Sequence, residues 1–426
     1  MLQTETIADP ERFARLALRL TDRANPAYGD AILIALADPG RPIAPAAVFD
    51  VIRHIASLGH EDYQDWLGWP LRRYLDGDVP DDIIEIILGR ALHATSPTGD
   101  GWLPGEDREP YGRDIFNSGL NSARGQSAVV LGDLIMHDAS GHRTALVAPS
   151  LSQLAADPVV AVRACVAHIL TACLRYARTD AIAAFRQLID TDDRLLSAGQ
   201  VLDLMMYIAF GEPQEIEPVI QRMLGSTHAQ VRRAGGQLAA FAGLELGLGQ
   251  LLIAVRDSQD AATRNGAAFV CARRLPHTKD ARAAADALQQ FVDDPDDGVR
   301  KTAAEVAGAL RGQALQPFAT VLTKLIASPA FSDALPQLLI TLQQAPDRID
   351  GLVTQCARRF VNVHGADASN IQTAAAGEAP EIGRLVLRAY AQAADSAARG
   401  PVLDLIDDLL FSGAYEFDRI IDEAER

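Results

Sequence analysis

Five arginines recur at comparable places in this chain. Arg124, Arg163, Arg232, Arg264 and Arg300 each follow an apolar or small residue and introduce an Ala-rich run. A guanidinium forks onto carboxylates and phosphates alike. The series could therefore line a groove for an anionic ligand, or tie neighbouring segments together through carboxylates such as Asp157 and Asp294. Recurrence at one position of every repeat favours the second role, a structural ladder. A second group, Trp102, Asp107, Arg108, Glu109, Tyr111 and Arg113, mixes aromatic rings with charge, the composition of interface hot spots. It is a candidate protein-contact loop, and the alternative is that its two rings pin the loop to the helices beneath. Nothing fixes the separation of its carboxylates for acid/base work. His137 and His142 lie five apart on no common helix face, which suits surface or capping histidines better than a metal pair. No Ser/His/Asp or Cys/His spacing stands out, and the chain has no GxxxxGK[ST] run. The expectation is a protein that is not an enzyme, with no catalytic, cofactor or metal site and no ATPase of its own.

The elements that would carry these residues follow from the intervals between the arginines, 39, 69, 32 and 36 residues. The 69 reads as two units with one degenerate repeat between them. A period in the thirties to forties marks stacked helical hairpins of the HEAT or armadillo kind. The fold class is therefore all-α, an α-solenoid. Apolar residues make up 48% of the chain and aromatics only 6%, as closely packed Ala/Leu helices require. Residues 157–174 show the logic: Asp157 is placed as a cap, Pro158 in the first turn, and Val162, Cys165, Val166, Ile169, Leu170 and Cys173 on one face. Asp294 and Pro295 repeat the device. Asp9 and Pro10 should start a helix at the N-terminus, with further helices near 26–37, 44–58, 61–75 and 80–93. Three regions are expected: irregular N-terminal hairpins over 1–93, a long Gly/Pro-rich loop over 94–117, and a regular HEAT-like array over 118–426. The array should close in capping helices near 380–394, 401–411 and 414–424, whose charged ending suits a polar cap.

The net charge of −17 repels phosphate backbones unless a basic stripe is segregated on one face, and none is visible. Only Lys279, Lys301 and Lys324 are lysines. That bias fits arginines holding repeats in register, and a high-GC bacterial genome would produce it equally. The four cysteines, Cys165, Cys173, Cys271 and Cys356, lack CxxC spacing and read as small core residues. No apolar run approaches the ~20 residues of a membrane span, and no signal sequence is seen. The expected setting is the cytoplasm, with neither nucleic acid nor membrane as partner.

Several stretches together carry a family resemblance: ADPERFARLALRL at 8–20, GLNSARGQSA at 119–128, DPVVAVRACVAHIL at 157–170, SPAF at 328–331, DASNIQTAAA at 367–376 and VLDLIDDLLFSGAYEFDR at 402–419. With them the chain resembles, over residues 8–426, the C-terminal helical-repeat region of large bacterial antiviral STAND-type NTPases, the Avs-like defence proteins. The Asp-Pro-x-x-x-Val-Arg phrase is generic to HEAT repeats; the NSARG run and the ending are the more specific parts. The resemblance implies a solenoid that senses a phage structural or packaging protein and works with a nucleotide-binding module and an effector. Those modules are absent here, so the chain is expected to be a fragment or to act beside a separately encoded NTPase or effector.

The leading functional expectation is thus a non-catalytic, protein-binding solenoid, the target-sensing part of an antiphage NTPase system. A general HEAT-repeat adaptor or assembly scaffold is the first alternative. A HEAT-like DNA-repair glycosylase is the second, and the acidic charge argues against it.

Overall fold

A computed structural model describes residues 2–38, 40–59, 66–99, 114–393 and 395–424. Among them the regular secondary structure is entirely helical, with no strand. The chain divides into two compact units, Met1–Val231 and Arg232–Arg426.

In the first unit the helices Asp81–His93, Ala123–Met136, Val160–Cys173 and Gly199–Ala209 pack in succession, each on the next. The two middle ones are buried nearly all round, which is why their apolar residues are not confined to one stripe. The helix Arg178–Leu188 returns the chain between the last two and buries a single face, Ala181, Ile182, Ala184, Phe185 and Leu188; Pro213–Leu224, which follows Gly199–Ala209, likewise buries one face.

The second unit has two such rows. One runs Ala261–Arg274, Asp297–Ala304, Phe331–Gln344, Ala374–Gln392 and Phe417–Ala424; the other runs Ala281–Phe291, Ala319–Ala327, Asp350–His364 and Ser396–Phe411. Each row advances one helix per repeat, so no hairpin could bury its apolar face without its neighbours. Both units are stacked helical hairpins, the architecture of an α-solenoid.

Local signals explain most boundaries. The carboxylate of Asp9 accepts a hydrogen bond from the Arg12 N–H, and Pro10 opens the helix Pro10–Ala17. The helix expected over 61–75 is different. Residues 61–65 lie outside the described set, and beyond them stands only a 3-10 helix, Trp69–Arg73. Pro70 has no N–H to give and its ring would clash with the preceding turn, so an α-helix through it fails. The cap positions also move. The helix after Asp157 starts at Val160, and the one after Asp294 starts at Asp297 with Asp296 as its cap. Asp157 and Asp294 instead close tight turns two residues earlier, accepting the N–H of Val159 and of Asp296, each at 2.8 Å.

Candidate functional site

In their turns, Asp157 and Asp294 each present both oxygens to an arginine of the repeat before, whereas Asp260, which caps its own helix through the Thr263 N–H, has its other oxygen left for Arg232. Arg124 takes Asp157 in a fork, Nε to Oδ2 at 2.7 Å and Nη2 to Oδ1 at 3.3 Å, and its Nη1 donates to the Ala94 carbonyl at 2.8 Å. Arg264 forks onto Asp294 at 2.7 and 2.9 Å. Arg232 reaches Asp260 at 3.1 Å. In the same ladder Arg163, Arg264 and Arg300 each donate to the carbonyl six residues earlier, of Asp157, Ser258 and Asp294. Arg163 also covers the carbonyls of Gln187, Leu188 and Asp190 at the end of the returning helix.

Arg163, Arg232, Arg264 and Arg300 all stand fourth in their helices. In the helix Gly199–Ala209 that place falls to Leu202, and this is the degenerate repeat inside the 69-residue interval. The hydrogen bonds it donates to Asp294 hold the Arg264 guanidinium above its usual range, whereas burial lowers that of Arg163. Burial alone would raise Asp260, but hydrogen bonds from Arg232 and Thr263 hold it below the usual carboxylate range.

Glycines set how closely successive helices approach. A Cβ on Gly119 would overlap the Ala161 carbonyl, one on Gly236 the Thr263 carbonyl, and one on Gly266 the Arg233 carbonyl. Backbone lies against backbone at these points, which explains why small residues surround the ladder arginines. In the NSARG run, Ser122 accepts the Gly125 N–H and donates to the Gly119 carbonyl, so the turn that aims Arg124 is closed on both sides.

The remaining candidates are scattered. His137 bonds Asp76 at 2.7 Å and His142 bonds Asp81 at 2.9 Å, so the two rings serve different partners. Among the described residues no three His, Cys, Asp or Glu side chains are grouped to hold a metal. All four cysteines are free and buried, and burial pushes the thiols of Cys173, Cys271 and Cys356 up to about 12, leaving them protonated and poorly nucleophilic. Trp102, Asp107, Arg108, Glu109, Tyr111 and Arg113 lie outside the described residues.

Residues not singled out from the sequence form an exposed edge in the first unit. Met136, Tyr176, Tyr207 and Phe210 stand at the C-terminal ends of three successive helices with much of their surface in water. The Tyr176 ring lies over Gly141, where φ is +79°, and its hydroxyl donates to the Ala139 carbonyl at 2.5 Å. Arg178, two residues on, pairs with Glu212 and donates to the carbonyls of Tyr207 and Ile208 at 3.3 Å, joining the Tyr176 turn to the end of the next helix. Rings held on a braced backbone lose little entropy when a partner covers them. Helical phase could have found two of them. Val201, Leu204, Met205 and Ile208 make the buried stripe, while Tyr207 and Phe210 fall outside it.

These features define an all-α, HEAT-like helical-repeat protein. The sequence matches no protein-family model and no curated protein. Among solved structures it is similar to Kap121p in its complex with Ste12p, at 13% identity over 97% of this chain and 48% of that one, with a TM-score of 0.44. It is also similar to Kap95p from a complex with RanGDP, at 10% identity over 96% of this chain and 58% of that one, TM-score 0.41. A chain of the Pds5–Scc1 complex matches at 12% identity over 96% and 69%, TM-score 0.39. The chain thus spans about half of the Kap121p chain. Matches at this level carry no information about what this chain binds.

Proposed function

We propose that this protein is a non-catalytic, protein-binding solenoid, and in its specific form the target-sensing part of a bacterial antiphage NTPase system. The observation that carries the reading is the braced aromatic edge of Tyr176, Tyr207 and Phe210 on a scaffold whose recurrent arginines are taken up by internal carboxylates and carbonyls. A cationic groove for nucleic acid is thereby disfavoured, and apolar surface is what remains for recognition. The antiphage form draws its support from the resemblance of residues 119–128 and 402–419 to the sensor repeats of Avs-like proteins. On that reading the partner is a phage structural or packaging protein, met in the cytoplasm, and a separately encoded NTPase or effector acts on the signal.

Co-expression with a panel of tailed-phage portal and terminase proteins tests it. One viral protein should co-purify in a stable complex. A panel that yields none ends the antiphage form, and a cellular partner retained without phage would make the protein a general adaptor.

A further inference from the structure

The last helix of the second row, Ser396–Phe411, buries Val402, Leu405 and Leu409 against its neighbours. Its opposite side carries Leu403, Leu410 and Phe411, and Phe411 is 97% exposed. The patch continues beyond the helix. The Tyr415 N–H donates to the Ala368 carbonyl at 3.0 Å, which joins the turn after the helix to the segment bearing Ile371, itself 72% exposed. Five large apolar side chains therefore share one end of this unit.

Carboxylates are set among them. Asp404, Asp407 and Asp408 are exposed and lie around the Phe411 position of the helix, Asp407 one turn from both Leu403 and Phe411, and Asp418 and Asp422 follow on the next helix. The two arginines of this stretch are engaged: Arg419 bonds Glu416 at 2.6 Å and Arg399 stacks over Tyr390. An apolar face studded with carboxylates is complementary to one kind of surface, an amphipathic helix whose apolar side is flanked by Lys or Arg.

We infer that this face docks a basic amphipathic helix of a protein partner, Phe411 serving as the apolar anchor and Asp404, Asp407 and Asp408 pairing with its cations. The inference rests on the protein-binding reading and adds a second place of contact, apart from the Tyr176 edge, with its chemistry.

The test uses the full chain and a fluorescein-labelled amphipathic Leu/Lys peptide, with a Leu/Glu peptide of the same pattern as control. Saturable binding of the Leu/Lys peptide alone is expected. It should weaken at least about tenfold with Phe411→Asp, and weaken also with Asp404, Asp407 and Asp408 together changed to Asn or with added salt. Both variants alter exposed side chains, and matched thermal melts check that they fold. Absence of saturable binding overturns the proposal. So does binding that Phe411→Asp leaves unchanged, since the peptide then adheres only to the general negative charge. A concentration-dependent dimer of the wild type, abolished by Phe411→Asp, would assign the face to a second copy instead. A phage protein captured equally by wild type and Phe411→Asp, with no peptide binding, ends this proposal and leaves the protein-binding reading standing.

Discussion

The carboxylates of the repeat seams and those of the Ser396–Phe411 face are the same chemical group in opposite circumstances. Asp157 and Asp294 are more than nine-tenths buried, and each accepts an arginine fork and a backbone N–H. Asp404, Asp407 and Asp408 stand in water beside exposed Leu403, Leu410 and Phe411. A buried carboxylate without its partners would be untenable, so its surroundings are dictated by folding. An exposed one costs nothing to leave unpaired, and its neighbours are free to serve recognition. Removing charge should therefore damage the fold in one region and recognition in the other.

The largest effect is expected from Arg124→Met, which strands Asp157 in the interior. Chemical denaturation should show a loss of about 3–5 kcal/mol, and the further change Asp157→Leu should recover much of it. A double variant no more stable than the single would mean that Asp157 matters for its turn more than for the fork. Next comes Gly266→Ala, where the new methyl meets the Arg233 carbonyl. Overpacking there should cost about 1–3 kcal/mol, and an unchanged melting temperature would show that these two helices are not in backbone contact.

Acid should act through other partnered carboxylates of the fold. Asp133, Asp138 and Asp260 sit below the usual carboxylate range: burial opposes this in each, and it is outweighed at Asp133 by His168 and Arg72, at Asp138 by Ser140 and the Arg143 N–H, and at Asp260 by Arg232 and Thr263. A carboxylate depressed in the folded state contributes stability above its unfolded value, about 3.9, and loses it as pH falls through the lower folded value. Stability should therefore be level near neutrality and decline below about pH 4, with protons taken up on unfolding. A decline beginning near pH 6 would point to the histidines instead.

Smaller still is Arg178→Ala, because the pair with Glu212 is about one-third exposed. A change of no more than about 1 kcal/mol is expected. The smallest effect belongs to the triple change of Asp404, Asp407 and Asp408 to Asn, which should leave stability within about 0.5 kcal/mol of wild type. A substantial loss there would make that face structural and remove the contrast.

Much of this fold is legible in the sequence because repetition amplifies weak signals. One Val-Arg pair says little, but five arginines at comparable intervals set the period. What escapes is geometry that depends on another repeat. Asp157 followed by Pro158 has the pattern of a capped helix start, yet its carboxylate lies in the turn and takes a fork from Arg124 of the repeat before. Trp69-Pro70 stands inside an apolar run that looks helical, and the single missing N–H outweighs the run. The Tyr176 edge is assembled from the ends of three helices, so no local pattern announces it.

Whether the edge of Tyr176, Tyr207 and Phe210 binds a protein is settled by the capture assay repeated with Tyr207→Ser/Phe210→Ser. Both side chains are more than half exposed, so the variant should melt with the wild type. The prediction is that it releases the protein the wild type retains. Full retention by the variant, or no protein retained by either, would contradict that prediction.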